Sequence, residues 1–306
     1  MSETTTEQPE FDLHETRPLC IIYTFTDSIK ILFRNPKLFI CISIFIIFPL
    51  SLLILSLALY SHPLQDQIHH LQAIAQFSTT RFEAGHILKQ VRVDSVTLLW
   101  IKALFWIPCY VLSLLAMISA VNSTALSCAG KRPNLQTAVT AVRLTWKRSL
   151  VTSICVFVIM VVYVHLTNAV MDCVGWNARA KWLTVVLGVV LEVELMAVLS
   201  FAMVVSVLEE LFGWEAMSVG WRLMEGRRLC GWVLAGFLIL VSCGIGWGFR
   251  VTMDDQEETM VVMMGLIGLF GLIVLWSYVV YTVFYCECRS RITKHAKGVD
   301  YGSSSL

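Results

Sequence analysis

The sequence predicts an all-α polytopic membrane protein, with six transmembrane helices in one bundle and three amphipathic helices on the cytoplasmic interface. The first ground is composition: the 306 residues are 57% hydrophobic and only 15% charged, with mean hydropathy +0.72. The second is distribution, since the apolar residues gather into runs of about 20 or more, the length that crosses a bilayer as a helix. The third is a repeated unit of amphipathic helix, basic residues and helical hairpin, which occurs three times along the chain. A net charge of +1, with no exposed basic and aromatic interleaving, gives no reason to expect a nucleic-acid partner.

Residues 1–18 carry Glu3, Glu7, Glu10, Asp12 and Glu15 with no apolar core of a signal peptide. They read as a disordered cytoplasmic tail, which leaves the first membrane helix to act as insertion signal. The first amphipathic copy runs from Ile21 to Lys37, with Phe25, Ile29, Leu32 and Phe33 on one side, Arg34 and Lys37 near its end, and Pro36 as a break. The transmembrane helices are predicted at 38–60, 98–127, 150–171, 182–208, 231–249 and 260–286, all within one membrane domain of residues 19–290. The second copy, 134–150, places Leu135, Ala138, Val139 and Val142 on one face; the third, within 207–234, places Ala216, Val219, Gly220 and Leu223 together. Residues 291–306 read as a second disordered cytoplasmic tail.

Orientation follows from the basic residues. The loops before the first, third and fifth helices and after the sixth hold 16 Lys plus Arg, against 6 in the alternate loops. Positive charge is retained on the cytoplasmic side, so both termini are expected there. The membrane is expected to be the plasma membrane or an endomembrane.

The strings VVSVLEELFGWEAMSVGWRLMEGRR, NSTALSCAGKRPNLQTAVTAVRLTWKRSLVTSICVFV and YVVYTVFYCECRS resemble a plant multi-pass transmembrane family of uncharacterised function. That family is distantly similar to the membrane domain attached to some glycerophosphodiester phosphodiesterases. The resemblance spans nearly the whole chain and implies a plant endomembrane or plasma-membrane protein. It brings no catalytic residues, because every long segment is already assigned to a membrane helix.

Candidate functional residues fall into three groups. Glu192 and Glu194 lie within the fourth membrane helix, where an ionised carboxylate costs roughly 2.5–3.5 kcal/mol. At i and i+2 they diverge by about 200°, so they form no dyad with each other. Lys102, His165 and Asn168 are their candidate partners, in a proton or cation relay or as interhelical glue. Arg143, Lys147, Arg148, Arg222, Arg227 and Arg228 are candidate contacts to anionic cytoplasmic lipid headgroups. Cys286 and Cys288 are candidate S-acylation sites beside the sixth helix.

Other features carry a structural expectation. Pro49 and Pro108 invite kinks, while Gly244 with Gly248, and Gly265 with Gly268 and Gly271, suggest close packing of the fifth helix on the sixth. His62, Asp66 and His69 share a face if their segment is helical, but Leu64, Ile68, Leu71 and Ile74 or Ala75 make that face the solvated side of a helix lying on the far surface. No metal site, cofactor or catalytic motif is expected, and the protein is not read as an enzyme. The leading functional expectation is a membrane-organising, adaptor or trafficking-related protein with membrane-protein partners or a homo-oligomer. The alternative is a transporter or lipid-handling protein using Glu192 and Glu194.

Overall fold

The computed structural model describes residues 17–77, 81–174, 178–254 and 259–303. The elements are α1 (Arg17–Arg34), α2 (Pro36–Ile42), a π-helical turn (Ser43–Ile47), α3 (Phe48–Phe77), α4 (Arg81–Cys128), α5 (Leu135–Cys173), α6 (Ala178–Leu208), α7 (Gly213–Leu223), α8 (Arg228–Asp254) and α9 (Thr259–Ser303). Among the described residues six helical stretches are long and apolar enough to cross a membrane, which makes the chain a multi-pass membrane protein. Of the predicted tail 1–18, residues 1–16 lie outside the described residues, while Arg17 and Pro18 open α1. The predicted tail after residue 290 is helical as far as Ser303, as a continuation of α9.

The hub of the bundle is α9. From Leu275 to Tyr285 most of its residues are buried, and it contacts α1, α3, α4, α6, α7 and α8. A helix apolar all round belongs at the centre of an assembly, because it has no polar face to turn outward. The largest buried cluster joins Phe284, Tyr281 and Val280 of α9 to Phe201 and Val205 of α6, Met117 and Val121 of α4, and Leu234 of α8. Phe201 meets the rings of Phe284 and Tyr281 edge-on at 5.2 and 6.3 Å, the arrangement favoured by the ring quadrupole.

The end of the bundle that carries α1, α7 and the α4–α5 connection is called the basic end here. The three segments expected to be amphipathic copies take different forms there. The third is a separate helix, α7, whose Ala216, Met217 and Gly220 are buried while Val219 and Leu223 are half-buried. A Cβ on Gly220 would lie 3.3 Å from the Ala202 backbone nitrogen and 3.4 Å from Phe201 Cβ. The glycine therefore lets α7 close on α6. A Gly220→Leu variant is expected to lose about 1–3 kcal/mol through overpacking, read as a lower melting temperature of the detergent-solubilised protein; an unchanged melt would show that this contact is slack.

The first copy, α1, is also separate, but it turns a different face inward from the one predicted. Thr24 and Ser28 are fully buried and Phe25, Ile31 and Leu32 half-buried, whereas Ile29 and Phe33 stay exposed. Small hydroxyls permit close approach, and each finds a polar partner: Thr24 donates to Glu287 at 3.2 Å, and Ser28 accepts from the Trp276 indole at 3.1 Å. The second copy is not a separate helix. It forms the first part of α5, which starts at an Asn134 capping box and runs unbroken to Cys173. Nothing in residues 135–150 breaks it: there is no proline or glycine to match Pro36 of the first copy or Gly226 of the third.

The break that Pro49 invites appears one turn earlier as the π-helical turn, closed by the Phe48 N–H donating to the Ser43 carbonyl. Widening the helix before a proline relieves the clash of its ring with the preceding turn. Pro108 stays inside α4. Beyond residue 60, α3 continues to Phe77 and packs against α4 instead of lying flat on the far surface. Ile68 of α3 and Val91 of α4 are buried, and Leu64, Leu71 and Ala75 are half-buried beside exposed His69 and His70. The apolar stripe has the predicted register, and it serves the α3–α4 hairpin.

Candidate functional site

The structure does not assemble the predicted intramembrane cluster. Glu192 and Glu194 are half-buried on α6, while Lys102 on α4 and His165 and Asn168 on α5 are exposed on the outside of the bundle. Among the described residues none of the five makes an ion pair or side-chain hydrogen bond with another. Packing gives the reason. The α5–α6 contact near Gly188 is occupied by Tyr163, which donates to the Gly188 carbonyl at 2.6 Å, and by Thr167, 3.6 Å from a Cβ placed there. That register turns Tyr163 and Thr167 inward, and His165 and Asn168, offset from them around the helix, outward.

The basic end is held by charge pairs that sequence spacing could not reveal. Arg227 donates to Glu287 at 2.9 Å, with side chains only 15% and 23% exposed. Glu209, at the end of α6, accepts from both Tyr285 and Arg289 of α9, and Arg289 also reaches Tyr285 at 2.6 Å. Arg148 of α5 lies 3.5 Å from Glu210. At the start of α7, Gly213 at φ +58 donates its N–H to Thr152 at 2.9 Å, fastening the α6–α7 connection to α5. A left-handed backbone there suits glycine.

These contacts revise the predicted headgroup set. Arg227 is engaged in the protein and Arg148 is drawn towards Glu210, whereas Arg228 lies over the Trp221 ring at 4.5 Å. Arg143, Lys147 and Arg222 remain exposed. The acylation candidates are revised too. Cys288 is buried at 4% exposure, and Cys286 is half-buried in a pair with Cys128. Cys128 is the exposed thiol of that pair.

Glycine contacts also differ from expectation. Gly248 of α8 meets Leu266 of α9, as the predicted packing of the fifth helix on the sixth requires, but Gly244, Gly265 and Gly268 have nothing within 4 Å. Gly271 receives Ile47 of the π-helical turn instead. At the far end His62 pairs with Asp66 at 2.9 Å, and both line a surface cleft with His69 and Arg250. Among the described residues no group of three or more potential ligands is placed to hold a metal ion.

Sequence reading missed the interior hydroxyls. Tyr110 donates to Ser153 at 2.8 Å, and Tyr278 and Tyr281 line one cavity with Ser113 and Ser200. These residues are scattered over α4, α5, α6 and α9, and tyrosine and serine in membrane helices give no periodic signal of their own.

A family model described as "Domain of unknown function (DUF8558)" matches residues 10–302 of the chain. No curated protein and no solved structure matches it.

Proposed function

The chain belongs to the DUF8558 family, and we propose that it is a non-catalytic membrane-organising or adaptor protein that recruits other membrane proteins through the outer surface of its bundle. One observation carries this reading: Lys102, His165 and Asn168 face outward from α4 and α5. A polar side chain at membrane depth is costly against lipid and finds its partner on a neighbouring transmembrane helix. The alternative of a transporter relaying protons or cations through Glu192 and Glu194 draws no support from their geometry, since the partners it needs point away. The resemblance to a plant membrane family suits an endomembrane or plasma-membrane scaffold with both termini cytoplasmic. There the exposed Arg143, Lys147 and Arg222 engage anionic headgroups.

The test is isolation of the tagged protein from its native membrane in mild detergent, alongside a triple variant Lys102→Leu, His165→Leu and Asn168→Leu. The reading expects a defined larger assembly for the natural sequence and at least a tenfold loss of partners or self-association for the variant, with an unchanged melting temperature. Equal recovery of partners by a folded variant would contradict it.

A further inference from the structure

Three cavities adjoin one another inside the bundle. The innermost, about 180 Å³, lies among α4, α5, α6 and α9, where the hydroxyls of Tyr110, Ser113, Ser153, Ser200, Tyr278 and Tyr281 stand among leucine, methionine and valine side chains. A second, about 300 Å³, shares Tyr110, Ser113 and Tyr278 with the first and is otherwise lined mainly by apolar groups of α3, α4 and α9, Trp106 and Phe270 among them. A third, about 440 Å³, shares Ile47, Ser51 and Ile267 with the second and runs between the π-helical turn, α3 and α9, past exposed Ile44, Phe48 and Leu52. The series therefore leads from the outer surface, through an apolar chamber, to a polar end.

The chemistry of the walls selects the occupant. Among the described residues no Asp, Glu, Lys, Arg or His lines any of the three cavities, so a charged headgroup would lose its hydration without a counter-charge. The polar end offers hydroxyls in pairs. Where Tyr110 donates to Ser153, the Ser153 proton and spare lone pairs stay free for a further bond. Such a set can both donate to and accept from one neutral hydroxyl. The chamber beside it is in the size range of small-molecule sites, which begin near 300 Å³.

We propose that these cavities bind an uncharged lipid with a single hydroxyl head, of the sterol or long-chain alcohol class. Its head sits among Tyr110, Ser113 and Tyr278, and its apolar body lies between α3, α4 and α9. Ser200, in the wall of the polar end, lies about 12 Å along α6 from its terminus at Leu208. The lipid enters sideways, past Ser51, and crosses no leaflet. This site goes beyond the scaffold reading and involves none of the residues that test it.

The test uses the full chain in lipid nanodiscs with two photoactivatable probes, a sterol and a hexadecanol. The proposal expects saturable labelling by at least one probe, mapped to the peptides holding Tyr110–Ser113 or Ser277–Tyr281. Unlabelled alcohol competes, and its sulfate ester competes at least tenfold more weakly. Tyr278→Phe keeps the ring and removes the hydroxyl, and should weaken binding about fivefold, the effect of one neutral hydrogen bond. Ser51→Phe should block entry, and if that variant does not fold, Tyr278→Phe still decides. Non-saturable labelling with both probes, labelling confined to the outer surface, or equal competition by the sulfate ester would overturn the proposal.

Discussion

A Gly271→Ile variant is expected to unfold many degrees below the natural protein, with the separation of α3 from α9 as its first step. A Cβ built on Gly271 falls 2.5 Å from Ile47 Cγ2, closer than real carbon contacts allow, and a tight 3.3 Å from Ser51 Oγ. Ile47 cannot yield easily. It is 3% exposed, lies in the π-helical turn, and packs in the cluster of Leu38, Ile42, Ala116, Leu275 and Val279. Its β-branched side chain has few alternative rotamers. Even Gly271→Ala should cost about 1–3 kcal/mol by overpacking, with a larger loss for isoleucine. Trimming the other side separates this cause from any general intolerance of α9: in a double variant, Ile47→Ala should recover part of the loss from Gly271→Ala. Thermal unfolding in detergent, followed by tryptophan fluorescence, reads both. A Gly271→Ile protein with an unchanged melt would mean that α3 and α9 do not touch here.

The second large effect is expected at the basic end. Glu287→Ala removes the acceptor of Arg227 and Thr24 together, tying α9 less firmly to α1 and to the segment before α8. Both charged side chains are less than a quarter exposed, so the loss should approach the about 1.5–3 kcal/mol of a charge-assisted hydrogen bond and not the near-zero value of a surface pair. A double-mutant cycle with Arg227→Ala checks the assignment, since the two losses should fall short of additivity by at least about 0.5 kcal/mol. Strict additivity would make the pair incidental. The exposed Lys30–Asp27 pair of α1 is the control, and removing it should change little.

The contrast between these sites and the predicted ones shows where the sequence is informative. Long apolar runs announce membrane helices, because a bilayer demands them regardless of what packs against what. The stripe of Leu64, Ile68, Leu71 and Ala75 was legible for the same reason: burial on one side of a helix leaves a 3.6-residue period. Whether an amphipathic segment stands alone depends on the breaker beside it. Pro36 and Gly226 mark the ends of two copies, whereas residues 135–150 hold neither and merge into α5. Which face of α1 turns inward was not legible, since the choice went to Thr24 and Ser28, small polar residues that hydrophobic patterning discounts.

Long-range polar contacts were the least legible. Glu192 and Glu194 stand out in the sequence because they are charged within an apolar run, yet a one-dimensional pattern carries no azimuth for the neighbouring helices. Lys102, His165 and Asn168 were therefore paired with them on shared depth alone. The Tyr110–Ser153 bond, the Arg227–Glu287 pair and the bonds of Tyr285 and Arg289 to Glu209 join residues 43 to 80 positions apart. Only the packing of α4 on α5, and of α9 on α6 and on the segment before α8, brings them together.

The proposed function rests on the use of the outward polar groups by neighbouring membrane proteins. The most direct measurement is site-specific photo-crosslinking in native membranes, with a benzophenone amino acid replacing His165 on α5 and, as a control, the buried Phe201 of α6. The expected result is one or a few discrete crosslinked species of defined mass from position 165 and none from position 201. Lipid adducts of the single chain alone from position 165 would show a surface that meets only the bilayer, and the scaffold reading would be wrong.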